Sequence, residues 1–437
     1  MIAAEKTKLD PNEVSKEVYQ LISELYPICR SITGNGFRKT LHLLQKHIPL
    51  TIQEVPSGTP VFDWTVPQEW NIKDAYIKNL KGERVVDFQK SNLHVVNYST
   101  PIHKTMPLAE LKEHLFTLPD RLNWIPYRTS YYKETWGFCL SHQQFLELED
   151  VEYEVCINST LEPGYLTYGE YYIKGNTPNE ILISCHSCHP SLCNDNLSGI
   201  AIATFIAKYF SQLSLSYSYR FIFIPGTIGS ITWLSINEQQ VDKIKHGLVL
   251  SCLGDAGKST YKKSRRGNAE IDQAVIHVLK NSHQDYEIRD FIPYGYDERQ
   301  FCSPGFNLPV GCLMRTPNGC YLEYHTSADN LDFVKPEYIA DSLAKFLAVL
   351  QVLENNKKYL NKNPKCEPQL GKRGLYRAIG GGNDGLNELA LLWVLNLSDG
   401  DYSLLDIADK SGLKFDAIYR AATALLEHDL LVELGNE

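Results

Sequence analysis

The alternation of hydrophobic and polar positions divides the chain into segments that predict different kinds of structure. Residues 12–30 and 36–47 repeat apolar side chains at helical spacing, which predicts two helices. From 160 to 360, strands that are apolar throughout alternate with amphipathic helices. This pattern is typical of a mostly parallel sheet with helices on both faces. Together with residues 1–60, this segment is predicted to form one discontinuous α/β domain.

The segment between these two parts has a different texture. Residues 61–159 contain short alternating stretches and many aromatic residues, with Lys81-Gly82 at a predicted hairpin turn. We expect a small β-rich domain inserted into the α/β domain.

The end of the chain predicts a further domain. Residues 361–385 are rich in proline, glycine and charge, and are predicted to be a linker. Three helical patterns follow, at 386–397, 403–411 and 415–428. The sequence LLVEL after them predicts a terminal strand. This order of elements is typical of a winged helix, predicted over residues 386–437.

Composition narrows the classes of function. The 437 residues are 43% hydrophobic and 22% charged, as in ordinary globular proteins, and the formal net charge is −9. A negative chain lacks the basic field that general binding to nucleic acid or anionic membrane requires. The sequence has no run of 18 apolar residues and no evident signal peptide, and its eleven cysteines lack a disulfide-scaffold spacing. We therefore expect a cytoplasmic protein that does not cross a membrane.

Polar residues gather where the predicted parallel strands end. His186, Gly226 and Asp255 each follow one of these strands, and ligands of such sheets bind beyond the carboxyl ends of the strands. The richest stretch reads ISCHSCHPSLCNDNLSG, in which His186, His189 and Asp195 offer nitrogen and oxygen ligands. We predict that this loop binds a metal ion or takes part directly in catalysis.

The cysteines of the same stretch allow two simpler interpretations. Cys185, Cys188 and Cys193 could form a structural zinc knuckle, although no second C-x-x-C pair follows at finger spacing. They could equally be buried thiols, which is the default for Cys185 inside its strand.

Two later clusters carry further candidate residues. In LEYHTSADN, His325 lies between Glu323 and Asp329, and Asp329 is the nearest carboxylate that could orient the imidazole. In YGYDERQF, the charged residues include Glu298 and Arg299, and a plain solvated turn is the alternative there.

The motifs together resemble known proteins. The strand, histidine and Asn-Asp-Asn pattern before a helix resembles the co-catalytic zinc exopeptidases of the bacterial leucyl aminopeptidase type. Over nearly the whole chain, the sequence resembles a bacterial family of polysaccharide-biosynthesis proteins with an aminopeptidase-like domain. The stretches that carry this second resemblance are LYPICRSITGNG, FDWTVPQEWNI, CHPSLCNDNLSG, PGFNLPVG and EYHTSADN.

The resemblance implies a zinc-exopeptidase-like fold of the phosphorylase/hydrolase-like kind, with one or two zinc ions. It assigns His186 as the first ligand, Asp195 as the carboxylate that bridges two metals, and His325 as the last ligand. For the acidic ligand after the third strand, Asp255 is the nearest candidate and Cys252 competes with it.

The sequence also departs from the pattern. Cys188 stands where such aminopeptidases have an aspartate that orients the first histidine. The turn PGTIGSI places Gly226 where the resemblance implies a catalytic glutamate, and glycine neither abstracts a proton nor binds zinc. Glu298 or Glu323 could replace this base, and His189 could replace the missing ligand.

Two functions follow from these observations. The first is an aminopeptidase-like, zinc-dependent hydrolase of an amide or peptide bond, in which Arg299 could hold a substrate carboxylate. Its substrate would be a small peptide or another amide-bearing molecule, in a protein that could be linked to polysaccharide biosynthesis. The alternative is a catalytically impaired protein with the peptidase fold that acts as a binding or regulatory module through the winged helix.

The predicted winged helix offers a poor surface for DNA. Its recognition-helix region LKFDAIYRAATALLEHD has only Lys414 and Arg420 as cations, against several acidic residues. A protein partner is therefore favoured over nucleic acid, and the 26 tyrosines leave a homo-oligomer open.

Overall fold

The structure is a computed structural model of the chain, and it describes residues 10–376 and 388–435. The first nine residues of the predicted α/β domain lie outside the described residues, as do residues 377–385 of the predicted linker. The same holds for residues 386–387 and 436–437 of the predicted winged helix.

The helices predicted near the two ends of the chain are present, with some changes at their ends, and the structure adds short helices within residues 61–159. The α-helices are α1 (Pro11–Leu25), α2 (Asn35–Leu44), α3 (Leu108–Leu111), α4 (His142–Leu146), α5 (Ser198–Phe210), α6 (Ile228–Asn237), α7 (Glu270–Lys280), α8 (Glu298–Phe301), α9 (Pro336–Asn355), α10 (Glu388–Leu397), α11 (Leu404–Ser411) and α12 (Phe415–Glu427). Helix α1 ends at Leu25 and not at residue 30, because Pro27 has no backbone N–H to continue the helix. No helix in the described ranges is both long and apolar enough to span a membrane.

The strands form one large sheet and several small ones. They are β1 (Thr51–Pro56), β2 (Pro60–Val61), β3 (Trp64–Thr65), β4 (Glu69–Lys78), β5 (Arg84–Asp87), β6 (Ile102–Pro107), β7 (Leu115–Phe116), β8 (Phe138–Cys139), β9 (Glu152–Glu162), β10 (Tyr165–Ile173), β11 (Glu180–His186), β12 (Ser218–Ile224), β13 (Ile244–Leu250), β14 (Ser259–Lys262), β15 (Tyr286–Arg289), β16 (Val310–Met314), β17 (Lys358–Asn361), β18 (Asp399–Ser403) and β19 (Leu431–Glu433).

The large sheet confirms the α/β prediction. Its eight strands follow the order β1-β10-β12-β11-β13-β16-β14-β15, and the central strands β12, β11, β13 and β16 are parallel. Every residue of β11 and β12 is buried, as expected for strands covered on both faces. The carboxyl ends of these parallel strands meet at one edge of the sheet, which is where His186 and Gly226 lie.

The region between the first helices and β10 contains a sheet of its own. Strands β5, β4, β9 and β6 pair antiparallel in that order, and the predicted hairpin between β4 and β5 has Gly82 at φ 77°. The inner face buries a cluster that includes Ile77, Val155 and Phe138. This stretch is thus β-rich, as the sequence pattern predicts.

The chain divides into two compact units. Among the described residues, one unit comprises 10–269 and 285–344 and contains the large sheet, while the other comprises 270–284, 345–376 and 388–435. In the second unit, β18, β17 and β19 form a three-stranded antiparallel sheet beside α10, α11 and α12. This arrangement confirms the winged helix, and Ser403 begins α11 with the capping box that it forms with Asp406.

Candidate metal centre

The centre is built around the carboxylate of Asp195. His186 is the last residue of β11, and the chain returns to it through an irregular turn, Cys193–Leu197, before α5. The backbone of Asp195 is not helical (φ −108°, ψ 82°), and this lets its side chain face the end of the strand. Nε2 of His186 lies 2.7 Å from Oδ1 of Asp195, and both side chains are fully buried.

Two more imidazoles reach the same carboxylate. Nε2 of His325 lies 3.0 Å from Oδ2 of Asp195, and Nε2 of His189 lies 3.9 Å from it. The ligand atoms of His186, His189 and Asp195 all lie within 4.8 Å of one another. The structure thus brings together four of the five predicted metal ligands.

The segment between β7 and β8 helps to hold His325 in place. The backbone N–H of Tyr127 donates to the carbonyl of His325 at 2.8 Å, and the N–H of Ser327 donates to the carbonyl of Ile125 at 2.8 Å. The ring of Tyr324 stacks on His325 with centroids 3.9 Å apart. His325 itself has φ 53°, a conformation uncommon outside glycine, and these contacts support it. The β-rich region between 61 and 159 therefore helps to form the centre.

Burial and mutual contact set the charges of the cluster. Burial alone would raise the pKa of Asp195, but the three surrounding histidines hold it well below its usual value. Burial lowers the pKa of His189 well below its ordinary value, so that its imidazole is neutral near pH 7. A carboxylate anion among imidazoles is the donor chemistry that zinc takes in proteins.

Polar residues behind the cluster hold its parts in place. Nδ2 of Asn196 lies 3.4 Å from Nδ1 of His186, which leaves Nε2 to face Asp195. The buried guanidinium of Arg30 donates to the carbonyl of His189 at 2.8 Å. The carboxylate of Asp329 accepts from the backbone N–H groups of Asn194 at 2.6 Å and Asp195 at 3.0 Å. Asp329 thus supports the Asp195 turn, and it does not contact the His325 imidazole that it was predicted to orient.

The contacts of Asp329 lead to a prediction. Asp329→Asn replaces one accepting oxygen with an NH2 group, which cannot accept from a backbone N–H. We expect zinc affinity to fall by about 10–100-fold, the usual effect of losing a group that orients a ligand. Titration with a competing zinc chelator measures this, and Asp332→Asn is the control because it removes the same charge from an exposed neighbour. Equal affinities in the two variants would contradict the supporting role.

Tyr296 occupies the space beside Gly226. Its ring stacks on His186 with centroids 3.7 Å apart, and its hydroxyl lies 2.8 Å from Nε2 of His189. A Cβ atom added to Gly226 would lie 2.8 Å from Cε1 of Tyr296 and 3.0 Å from Cβ of His186. Burial raises the pKa of Tyr296 well above its ordinary value, so the hydroxyl stays protonated. The position of the implied glutamate is therefore covered by a neutral hydrogen-bond donor.

Several predicted residues are engaged elsewhere. Asp255 accepts hydrogen bonds from Asn194 at 2.9 Å and from Gly257 at 2.6 Å, and its carboxylate is outside the cluster of ligand atoms. These bonds tie Asp255 to the neighbouring turns, and no contact among the described residues joins it to Asp195, so a ligand role for Asp255 stays a prediction. Cys252, its competitor, lies with its sulfur 3.1 Å from Oδ1 of Asn318, and burial raises its pKa well above the usual range.

The two predicted bases and the predicted substrate arginine are also not brought to the cluster. Glu298 is buried in an ion pair with Lys262. The backbone carbonyl of Glu323 accepts from Oγ1 of Thr326 at 2.7 Å, and no contact among the described residues joins its carboxylate to the cluster. Neither glutamate lines the cavity at the centre, nor does Arg299. Among the described residues, no glutamate lies in the cavity to replace the base that Gly226 cannot supply.

A cavity of about 200 Å³ opens onto the centre. It is lined by His189, His325, Gly226 and Tyr296, together with residues that include Tyr127 and Cys188. The sulfur of Cys188 lies 3.8 Å from Nδ1 of His189, and burial raises the pKa of this thiol to about 12. The position of Cys188 in the motif suggested a contact with His186. The structure instead places its sulfur beside His189.

The sequence did not single out Tyr296, Tyr127 or Arg30. Tyr296 lies in YGYDERQF, where the acidic residues drew the prediction. The glycine at 226, where the resemblance implies a glutamate, was the signal that a neighbouring side chain could fill the space. Arg30 lies in LYPICRSITGNG, and a charged residue in an otherwise apolar and turn-rich stretch was its only signal.

Fold and site together define an aminopeptidase-like α/β protein with a histidine-carboxylate cluster at the ends of its parallel strands. The family model described as "Domain of unknown function (DUF4910)" matches residues 19–356, and a winged helix-turn-helix model matches residues 357–433. The chain belongs to the DUF4910 family. The region from 19 to 356 includes every residue of the cluster.

A curated protein and a solved structure, both from one organism, are similar to nearly the whole chain. A Clostridium acetobutylicum protein, provisionally named a polysaccharide biosynthesis protein with aminopeptidase-like domain, is 60% identical over 421 residues, covering 96% of this chain and 97% of its own. A crystal structure of a provisionally named peptidase from the same organism is 57% identical, has a TM-score of 0.93, and covers 97% of this chain and 98% of its own.

A zinc aminopeptidase from Bacillus subtilis shares the fold. Its TM-score is 0.56 at 12% identity, over 78% of this chain and 94% of its own. A peptidase M28 precursor from Shewanella amazonensis has a TM-score of 0.54 at 14% identity, over 79% and 97%. These similarities confirm the aminopeptidase-like fold that the sequence motifs implied.

Proposed function

We propose that the chain is an aminopeptidase-like, zinc-dependent hydrolase of an amide bond. The observation that carries the proposal is the convergence of His186, His189 and His325 on the buried carboxylate of Asp195. We assign all four as zinc ligands, with His189 in place of the carboxylate ligand that this sequence lacks. One or two ions would suit this set, because Asp195 offers each of its oxygens to a different histidine.

Zinc held there would supply Lewis acidity toward an amide carbonyl and make water a better nucleophile near neutral pH. Hydrolysis adds the hydroxyl of water to the acyl carbon and a proton to the leaving nitrogen. Tyr296 lines the cavity, and its protonated hydroxyl lies 2.8 Å from Nε2 of His189. With that nitrogen engaged by zinc, the hydroxyl would be free to donate a hydrogen bond where negative charge develops on the carbonyl oxygen. With no carboxylate at position 226, we expect slow turnover, because a general base contributes roughly 10²–10⁴-fold.

The substrate class follows from the cavity and from the Clostridium acetobutylicum relative. The relative's name includes polysaccharide biosynthesis, and a cavity of about 200 Å³ accommodates a small group and not a folded protein. We propose a small peptide or an N-acylated sugar as the substrate. The winged helix would then serve a protein partner: Nε of Arg420 on α12 lies 2.8 Å from Oδ2 of Asp416, which reduces its charge toward DNA phosphates.

A second candidate rests on Tyr296. Because its ring covers Gly226 and stacks on His186, the centre could bind metal without turning over substrate, and the chain would then act as a binding or regulatory protein. The metal is common to both candidates, whereas hydrolysis belongs only to the first.

The experiment that separates them is a zinc-dependent activity assay. We expect the zinc-loaded protein to release p-nitroaniline from leucine p-nitroanilide or acetate from N-acetylglucosamine, and Asp195→Asn to release neither. Activity that survives complete removal of metal would contradict the hydrolase mechanism. A zinc-loaded protein without activity on either probe would favour the regulatory candidate.

A further inference from the structure

A second cavity, of about 540 Å³, lies apart from the metal centre. It is bounded by the connection between α1 and α2, by strand β4 and by the turn that follows β5. Its volume falls in the range of small-molecule sites, roughly 300–1,000 Å³. Nothing in the proposed hydrolysis uses this cavity.

The charge of its lining is entirely positive. Lys39, Lys73 and Lys90 line it, and no aspartate or glutamate of the described chain does. The three side chains are exposed, and none forms an ion pair with a described carboxylate. In a chain of net charge −9, three unpaired ammonium groups around one cavity are a local field that attracts an anion.

The first turn of α2 adds to this field. Asn35 and Gly36, the first residues of this ten-residue helix, line the cavity, and the N-cap Gly34 makes no side-chain capping bond. The N–H of Asn35 donates to Oδ1 of Asn71 at 2.7 Å, but the partial positive charge of the helix end is retained. Phosphate groups bind readily at such ends when cations stand beside them.

The remainder of the wall suits a polyhydroxylated body. Asn92 lines the cavity, and its Nδ2 donates to Oγ of Ser191 at 2.8 Å. Asn92 and Ser191 thus add polar side chains to the wall, and such side chains can hydrogen-bond the hydroxyl groups of a ligand. Phe88 and Trp70 contribute aromatic surface to the same wall.

We propose that this cavity is a binding site for a small phosphorylated carbohydrate. The lysines and the start of α2 recognise the phosphate, while the asparagine and aromatic wall recognises the sugar. The site lies next to the metal centre. Cys29 and Ser31 line the cavity, and the guanidinium of Arg30, which lies between them in the sequence, donates to the carbonyl of His189. The sugar phosphate is thus bound beside, and not at, the zinc ligands.

Isothermal titration calorimetry with glucose 1-phosphate, inorganic phosphate and glucose tests the proposal. We expect glucose 1-phosphate to bind the metal-depleted protein more tightly than either other probe. The triple variant Lys39→Gln, Lys73→Gln, Lys90→Gln should weaken binding on the order of tenfold or more, because charge-assisted hydrogen bonds to phosphate are lost.

The control is the triple variant Lys16→Gln, Lys46→Gln, Lys81→Gln, which makes the same change in net charge at exposed lysines outside the cavity. It should bind glucose 1-phosphate as the wild type does, and a thermal melt should show both variants folded. Absence of binding by the wild type, or equal losses in the two triple variants, would overturn the site. Inorganic phosphate binding as tightly as the sugar phosphate would overturn its carbohydrate specificity.

Discussion

Replacing Asp195 with asparagine is expected to leave the purified protein without bound zinc. Asp195 is hydrogen-bonded to both His186 and His325, so its loss removes the carboxylate that joins them. Structural zinc sites of four ligands are worth about 10–16 kcal/mol, so the loss of one ligand reduces affinity on the order of 100-fold or more. Inductively coupled plasma mass spectrometry of protein purified without chelator or histidine tag measures the metal content.

Single alanine variants of His186 and His325 should lose zinc in the same way. The matched control is His246→Ala, which removes a buried histidine near the start of β13, at the opposite end of the strands from the cluster. It is expected to keep its zinc even if it is less stable. Zinc that persists in Asp195→Asn at the wild-type level would show that the metal binds elsewhere, and the proposed hydrolase would then lose its centre.

The parts of this centre that could be predicted from the sequence are those that a local pattern determines. His186 ends a strand that is apolar throughout, and Asp195 follows nine residues later at the start of a helical pattern. Because both positions are tied to one strand and one helix, their approach follows from the α/β architecture. The resemblance to zinc exopeptidases then added His325, which lies 130 residues away from Asp195.

The parts that could not be predicted depend on contacts between distant segments. Glu298 seemed free to act as a base, but Lys262 at the end of β14 neutralises it, and no pattern near Glu298 indicates that pairing. Asp255 follows the third strand as a ligand should, yet Asn194 and Gly257 take its oxygens. A sequence shows which groups could bind a metal, whereas their competing hydrogen-bond partners appear only in three dimensions.

The same limit applies to Gly226. The resemblance implies a glutamate at this position, but the sequence does not reveal that Tyr296, 70 residues later, fills the space. Tyr296 contacts both His186 and His189, and these contacts fix its ring over Gly226. A side chain added at position 226 would therefore compete with the ring for the same space. Restoring the glutamate alone should therefore fail.

Gly226→Glu together with Tyr296→Ala is expected to raise the rate of amide hydrolysis by about 10²–10⁴-fold over Tyr296→Ala alone, the usual contribution of a general base. The first change supplies the carboxylate, and the second removes the ring whose Cε1 would lie 2.8 Å from the new Cβ. Gly226→Glu by itself should gain no activity and lose about 1–3 kcal/mol of unfolding free energy, because it overpacks the site. Zinc-loaded variants assayed on leucine p-nitroanilide, with urea melts in parallel, measure both effects.

The control for this pair is Gly226→Gln with Tyr296→Ala, which has the same shape without a carboxylate to accept a proton. If the glutamate and glutamine variants hydrolyse the probe equally while both keep their zinc, position 226 does not face the reacting group. If only the glutamate variant is fast, the centre has a working ligand set that lacks a base. That outcome would also explain how a chain of this fold could keep its metal and still be a slow hydrolase.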